Sequence, residues 1–196
     1  MSVILKEKRW ISPLDNNPRL KEKNPLQRLS GRYLKWTAYG LLILITFLVQ
    51  TAPHLIPSIA GAKPLLLIPV AIAIAMMEGP IGGAAAGIAA GLLWDLYADR
   101  LFGFNALILL VLCCASGLLV RLLIRNNLLS AMLLFSGALL IQGVADWFFY
   151  YVLWMREEPL YVLLHMTLPD MAYTLVLAPA LYGLTLLVAK ILRRRT

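Results

Sequence analysis

Charge is scarce in this chain: Asp, Glu, Lys and Arg make up only 14% of its 196 residues, against about 25% in soluble domains. That shortage excludes a soluble enzyme whose pocket sits on a large aqueous fold. Cysteine is scarcer still. Cys113 and Cys114 are the only two, adjacent within an apolar run, which excludes a disulfide scaffold and a tetrahedral metal site and leaves small packing residues. The two histidines, His54 and His165, fall in predicted outer loops and read as surface residues. No glycine-rich nucleotide loop, HExxH motif or nucleophile elbow occurs. No close acidic pair is set for proton transfer, and the halves do not resemble each other as inverted transporter repeats do. Catalysis, a cofactor, a metal and nucleic-acid binding are therefore not expected.

Long apolar runs fill the space these absences leave. The chain is 61% hydrophobic with a mean hydropathy of +0.78, and a membrane-crossing helix needs about 20 mostly apolar residues. The expected fold is an all-α integral membrane protein with six spans, near 34–52, 64–77, 79–97, 103–124, 128–153 and 167–192. A basic arm, 1–33, precedes the membrane domain and a basic tail, 193–196, follows it. The first span begins too late for a cleaved signal peptide and is read as retained. The second is short and carries Pro69; about 14 residues reach only some 21 Å, so it is expected to be tilted, broken or shielded by protein.

Charge location sets the orientation. Residues 1–35 hold nine Lys or Arg against three acids, and Lys190, Arg193, Arg194 and Arg195 close the chain. With six spans, Arg121 and Arg125 join these on one side while Lys63, Arg100 and Arg156 fall on the other. The bias predicts cytoplasmic termini in a bacterial inner membrane. Trp94, Tyr97, Trp147, Tyr150, Tyr151, Trp154 and Tyr161 fall near the predicted outer ends, Tyr33 and Trp36 near the inner end of the first span, as interfacial aromatics do. Leu26, Leu29, Tyr33 and Trp36 recur at helical spacing opposite Arg28, Arg32 and Lys35, compatible with a helix on the inner leaflet or with an ordinary basic flank.

The most informative stretch places Gly79, Gly83, Gly87 and Gly91 four residues apart, with Asp95 next in the same progression. Such a ridge of missing side chains lets another backbone approach closely, whether from this chain or from a partner. Asp95 lies about 24 Å beyond Gly79 by helical rise. Asn105, Gln142, Asp146 and Asp170 are expected near the same outer depth. Polar groups there face protein, water or headgroups rather than acyl chains: they form either an outer-mouth binding site or helix-to-helix hydrogen bonds. Glu78, at the inner hairpin, is expected to cap the glycine-rich helix.

These residues carry a family pattern. Lys63-Pro64-Leu65-Leu66-Leu67, Glu78-Gly79-Pro80, Gly83, Gly87, Gly91-Leu92-Leu93-Trp94-Asp95-Leu96-Tyr97 and Leu101-Phe102-Gly103-Phe104-Asn105-Ala106-Leu107 resemble the MreD family of rod shape-determining proteins. The match is concentrated in residues 63–107. Lys63 and Leu65 stand where the family commonly has Arg and Asp, and the basic arm lies outside the resemblance. The resemblance implies a non-enzymatic adaptor of the bacterial elongation machinery. Its partner would be the single-span scaffold MreC, working with MreB, RodA and a class B transpeptidase in peptidoglycan synthesis and cell shape. It also implies a fold similar to the S component of energy-coupling-factor transporters. That gives a second reading, a small-molecule (vitamin) binding subunit with Asp95, Gln142, Asp146 and Asp170 orienting the ligand, and a third in which the outer mouth binds lipid.

Overall fold

A computed structural model describes residues 25–52, 63–98, 101–123, 127–152 and 159–195 of the chain. Helix α1 runs Pro25–Thr51, α2 Leu67–Tyr97, α3 Phe104–Leu122 and α4 Leu128–Trp147, the last continuing as a π-helical segment, Phe148–Val152. After α5, a single turn at Pro159–Val162, a second π-helical segment, Leu163–Thr167, leads into α6, Leu168–Arg195. Five of these stretches are long and apolar enough to cross a membrane: Tyr33–Thr51, Leu67–Tyr97, Phe104–Leu122, Leu128–Tyr150 and Leu163–Leu192. Six were expected. The difference lies wholly in α2, a 31-residue helix that takes in both the second and the third expected spans.

Its interior is not regular. Gly79 has φ 81° and ψ −171°, a backbone region open essentially to glycine alone. Pro80 contributes twice, by disfavouring helical geometry at the residue before it and by suiting the first turn of whatever helix follows. The chain doubles back there. A Cβ added to Gly83 would lie 2.9 Å from Ala75 Cα, whereas eight residues along an unbroken helix are separated by about 12 Å of rise. The element is thus a hairpin with a first arm, 67–78, and a second arm, 80–97.

The first arm is the centre of the molecule. Every residue from Leu66 to Met76 is buried, so the expected shielding by protein is how this short apolar segment is accommodated; a helix apolar all round belongs in a core. Tyr39, Leu42 and Ile43 of α1, Phe135 and Leu139 of α4, and Met171 and Ala178 of α6 join it there. The opposite faces carry Leu41 and Leu48 on α1, Leu107 and Val111 on α3, Leu133 and Ile141 on α4, and Val176 and Leu187 on α6, all exposed. So much outward apolar surface is tolerable only in lipid or under another protein.

Ahead of α6, helical structure already begins at Pro159, where a loop reaching to about 167 was expected. His165 accordingly sits in the π-helical segment, stacked on Tyr161 at 4.3 Å, rather than in a loop. Helix α1 begins at Pro25, so the basic amphipathic stretch is continuous with the first span. The arm before Pro25, His54, Arg100, Arg125, Trp154 and Arg156 lie outside the described residues.

Candidate functional site

Asp95 ends the second arm's glycine ridge almost fully buried, at 5% exposure. Its carboxylate accepts hydrogen bonds from the backbone N–H of Gly103 at 2.9 Å, Asn105 at 3.1 Å and Ala106 at 3.2 Å. These are orphan donors at the start of α3, and negative charge suits a helix N-terminus. Gly103, in the left-handed region at φ 93°, lets the chain turn tightly enough to present them. Asp95 therefore joins the second arm to α3.

The polar chain continues inward from that cap. Asn105 Oδ1 accepts from Gln142 Nε2 at 2.7 Å, and the same Nε2 lies 3.3 Å from Asp146 Oδ1. Gln142 is fully buried, and its Oε1 has no hydrogen-bond partner among the described residues. Asp95, Asn105 and Gln142 thus lock the second arm, α3 and α4 together, with Asp146 one turn further along α4 sharing the same amide.

A second polar group closes the top of the first arm. The N–H of Lys63 donates to Asp170 Oδ1 at 2.7 Å, that of Leu65 to Thr174 Oγ1 at 2.8 Å, and that of Leu67 to Gln50 Oε1 at 2.9 Å. Thr174 in turn donates to the carbonyl of Asp170 at 2.6 Å. Side chains of α1 and α6 here satisfy donors that the buried helix cannot satisfy itself. Gln50 and Thr174 escaped the sequence reading. Gln50 was findable as the last amide before the Pro53 break, whereas Thr174 pairs across 109 positions and leaves no local signal.

Between these two groups opens a cavity of about 440 Å³. Phe47, Trp94, Tyr97, Trp147 and Met166 supply apolar wall, while Gln50, Lys63, Asp146 and Asp170 supply polar groups. Phe47 and Tyr97 meet edge to face, with ring centroids 6.2 Å apart. Of the five residues expected at an outer mouth, Asp146 and Asp170 line this space, whereas Asp95, Asn105 and Gln142 stand behind its wall.

The glycine ridge faces α3 of the same chain. A Cβ at Gly87 would lie 2.5 Å from the Leu109 carbonyl oxygen, one at Gly83 2.9 Å from that of Cys113, and one at Gly91 would strike Ala106. On α3, Gly117 answers by lying against Gly79 and Pro80. The helices run antiparallel, so each step of four along one returns a step of four along the other.

At the far end of the hairpin, Glu78 pairs with Lys35 at 2.6 Å and accepts from the Tyr39 hydroxyl at 2.9 Å. The carboxylate expected to cap the second arm instead ties the hairpin turn to α1, and Lys35 turns inward to it.

Compared with known proteins, the chain matches no curated protein and no solved structure. The family of rod shape-determining protein MreD matches it over residues 30–194.

Proposed function

Since the chain belongs to the MreD family of rod shape-determining proteins, we propose that it is a non-enzymatic membrane adaptor of the bacterial elongation complex. The family match carries this reading, because it spans every helix that builds the core and the cavity. The adaptor binds MreC and so supports MreB, RodA and the class B transpeptidase in peptidoglycan synthesis. It resides in the inner membrane with both termini cytoplasmic and crosses six times, the two arms of α2 counting as a pair.

The docking surface in this reading is the cavity rather than the glycine ridge, since α3 already covers Gly83, Gly87 and Gly91. An aromatic wall with two carboxylates at its rim suits a partner segment carrying an apolar side chain and a hydrogen-bond donor. Tyr97 is 64% exposed, so its removal leaves the core intact. Tyr97→Ala combined with Asp146→Ala should lower recovery of MreC severalfold in co-purification from native membranes, at equal expression, and round up rod-shaped cells. Unchanged recovery and unchanged shape would count against docking at this cavity.

One observation favours a second reading, an S-component-like ligand-binding subunit. A space of about 440 Å³ falls within the usual range for small-molecule sites. A stoichiometric small molecule retained through purification and lost in Asp146→Ala would support it.

A further inference from the structure

We propose that the open face of α6 near its C-terminal end seats one anionic glycerophospholipid, with Lys190 taking the phosphate. Gly183, Leu186, Leu187, Lys190 and Ile191 line a groove of about 330 Å³. Their spacing of three, four, seven and eight residues puts them on one helix face. A Cβ added to Gly183 would meet nothing within 4 Å, and Leu187 and Ile191 are exposed. Gly183, Leu187, Lys190 and Ile191 are all exposed, while Leu186 packs partly against the core.

Depth and charge select the occupant. Lys190 stands twenty positions after Asp170, about 30 Å along the helix by its rise, which is the thickness of a bilayer's hydrocarbon core. With Asp170 at the cavity end, Lys190 falls at the opposite interface, the depth of lipid phosphates. It is exposed and has no carboxylate partner among the described residues. Helix α6 continues through Arg195, so three further basic residues follow within two turns and deepen the positive potential that attracts anionic lipid. An apolar trough ending in a free ammonium matches an acyl chain ending in a phosphate. A neighbouring apolar helix would leave that ammonium without a counter-charge.

The test is native mass spectrometry of the full chain released from nanodiscs containing equal parts dioleoylphosphatidylglycerol and dioleoylphosphatidylcholine. The wild-type protein should retain phosphatidylglycerol preferentially. Lys190→Ala should cut that preference roughly fivefold, the weight of one interfacial basic residue, with no change in melting temperature. Gly183→Leu, which fills the groove without touching the chain, should lower retained phosphatidylglycerol in a folded protein. Preference unchanged in both variants overturns the proposal. So does full displacement by glycerophosphoglycerol, which has the headgroup and phosphate but no acyl chains. A lipid-free dimer that Gly183→Leu dissociates would assign the face to a second copy instead.

Discussion

Glycines in this chain divide by what lies against them. Gly87 has a backbone carbonyl in the place a Cβ would need, 2.5 Å away, whereas Gly137 has nothing within 4 Å. Backbone cannot swing aside as a side-chain tip can, so Gly87→Ala must part α2 from α3, at a cost of roughly 1–3 kcal/mol for overpacking. Gly137→Ala should be neutral or stabilising by about 0.5–1 kcal/mol, through reduced backbone freedom. Thermal unfolding of the two variants in one detergent checks the pair, and equal melting temperatures would contradict the packing described. The four-residue spacing was legible because it is a local period. Which helix it meets was not, since any helix offers the same period. Asp95 shows the same limit: its place in the four-residue progression was legible, but its partners are amides presented by a turn at Gly103.

At the scale of an element, the hairpin of α2 was legible from the short Glu78-Gly79-Pro80 connection. Glycine supplies the backbone region and proline forbids continuation through the residue before it, whereas the tie from Glu78 to Lys35 and Tyr39 of α1 was not legible, because those partners lie about forty positions away. Gly79→Ala isolates the first of these, because a Cβ there meets no neighbour and the whole effect is conformational. A loss of about 1–3 kcal/mol is expected for a non-glycine residue held there, read as a lowered melting temperature with helical content retained. The π-helical segments Phe148–Val152 and Leu163–Thr167 were not legible. Each widens a helix by one residue per turn without any glycine or proline to mark it, and the apolar pattern is nearly unchanged by so small a shift in phase. The helical turn at Pro159–Val162, where a loop was expected, went unread with them.

For the whole molecule, the proposed even number of crossings rests on the charge census and on the two arms of α2 counting as a pair. Reporters fused after Thr196 and before Met1 should both be active only in the cytoplasm. If the two fusions report opposite sides, α2 does not act as a pair of crossings. The sequence pattern conveyed the overall class, helices with apolar exteriors and a deficit of charge. It did not convey which helix sits at the centre, because all of them are apolar and burial depends on neighbours far along the chain.

The first arm's dependence on Gln50 and Thr174 bears on how the protein comes to be assembled. A segment of 12 residues, about 18 Å long, cannot hold a stable position in the bilayer by itself. Its leading amides find acceptors only when α1 and α6 stand beside it. Since α6 follows α2 in the chain, the centre stays unfinished until α6 has been made and has packed beside it. Chains cut short before Asp170 and Thr174 would present bare amides at the heart of the bundle. Such fragments are expected to be cut faster than the full chain in limited proteolysis of membranes.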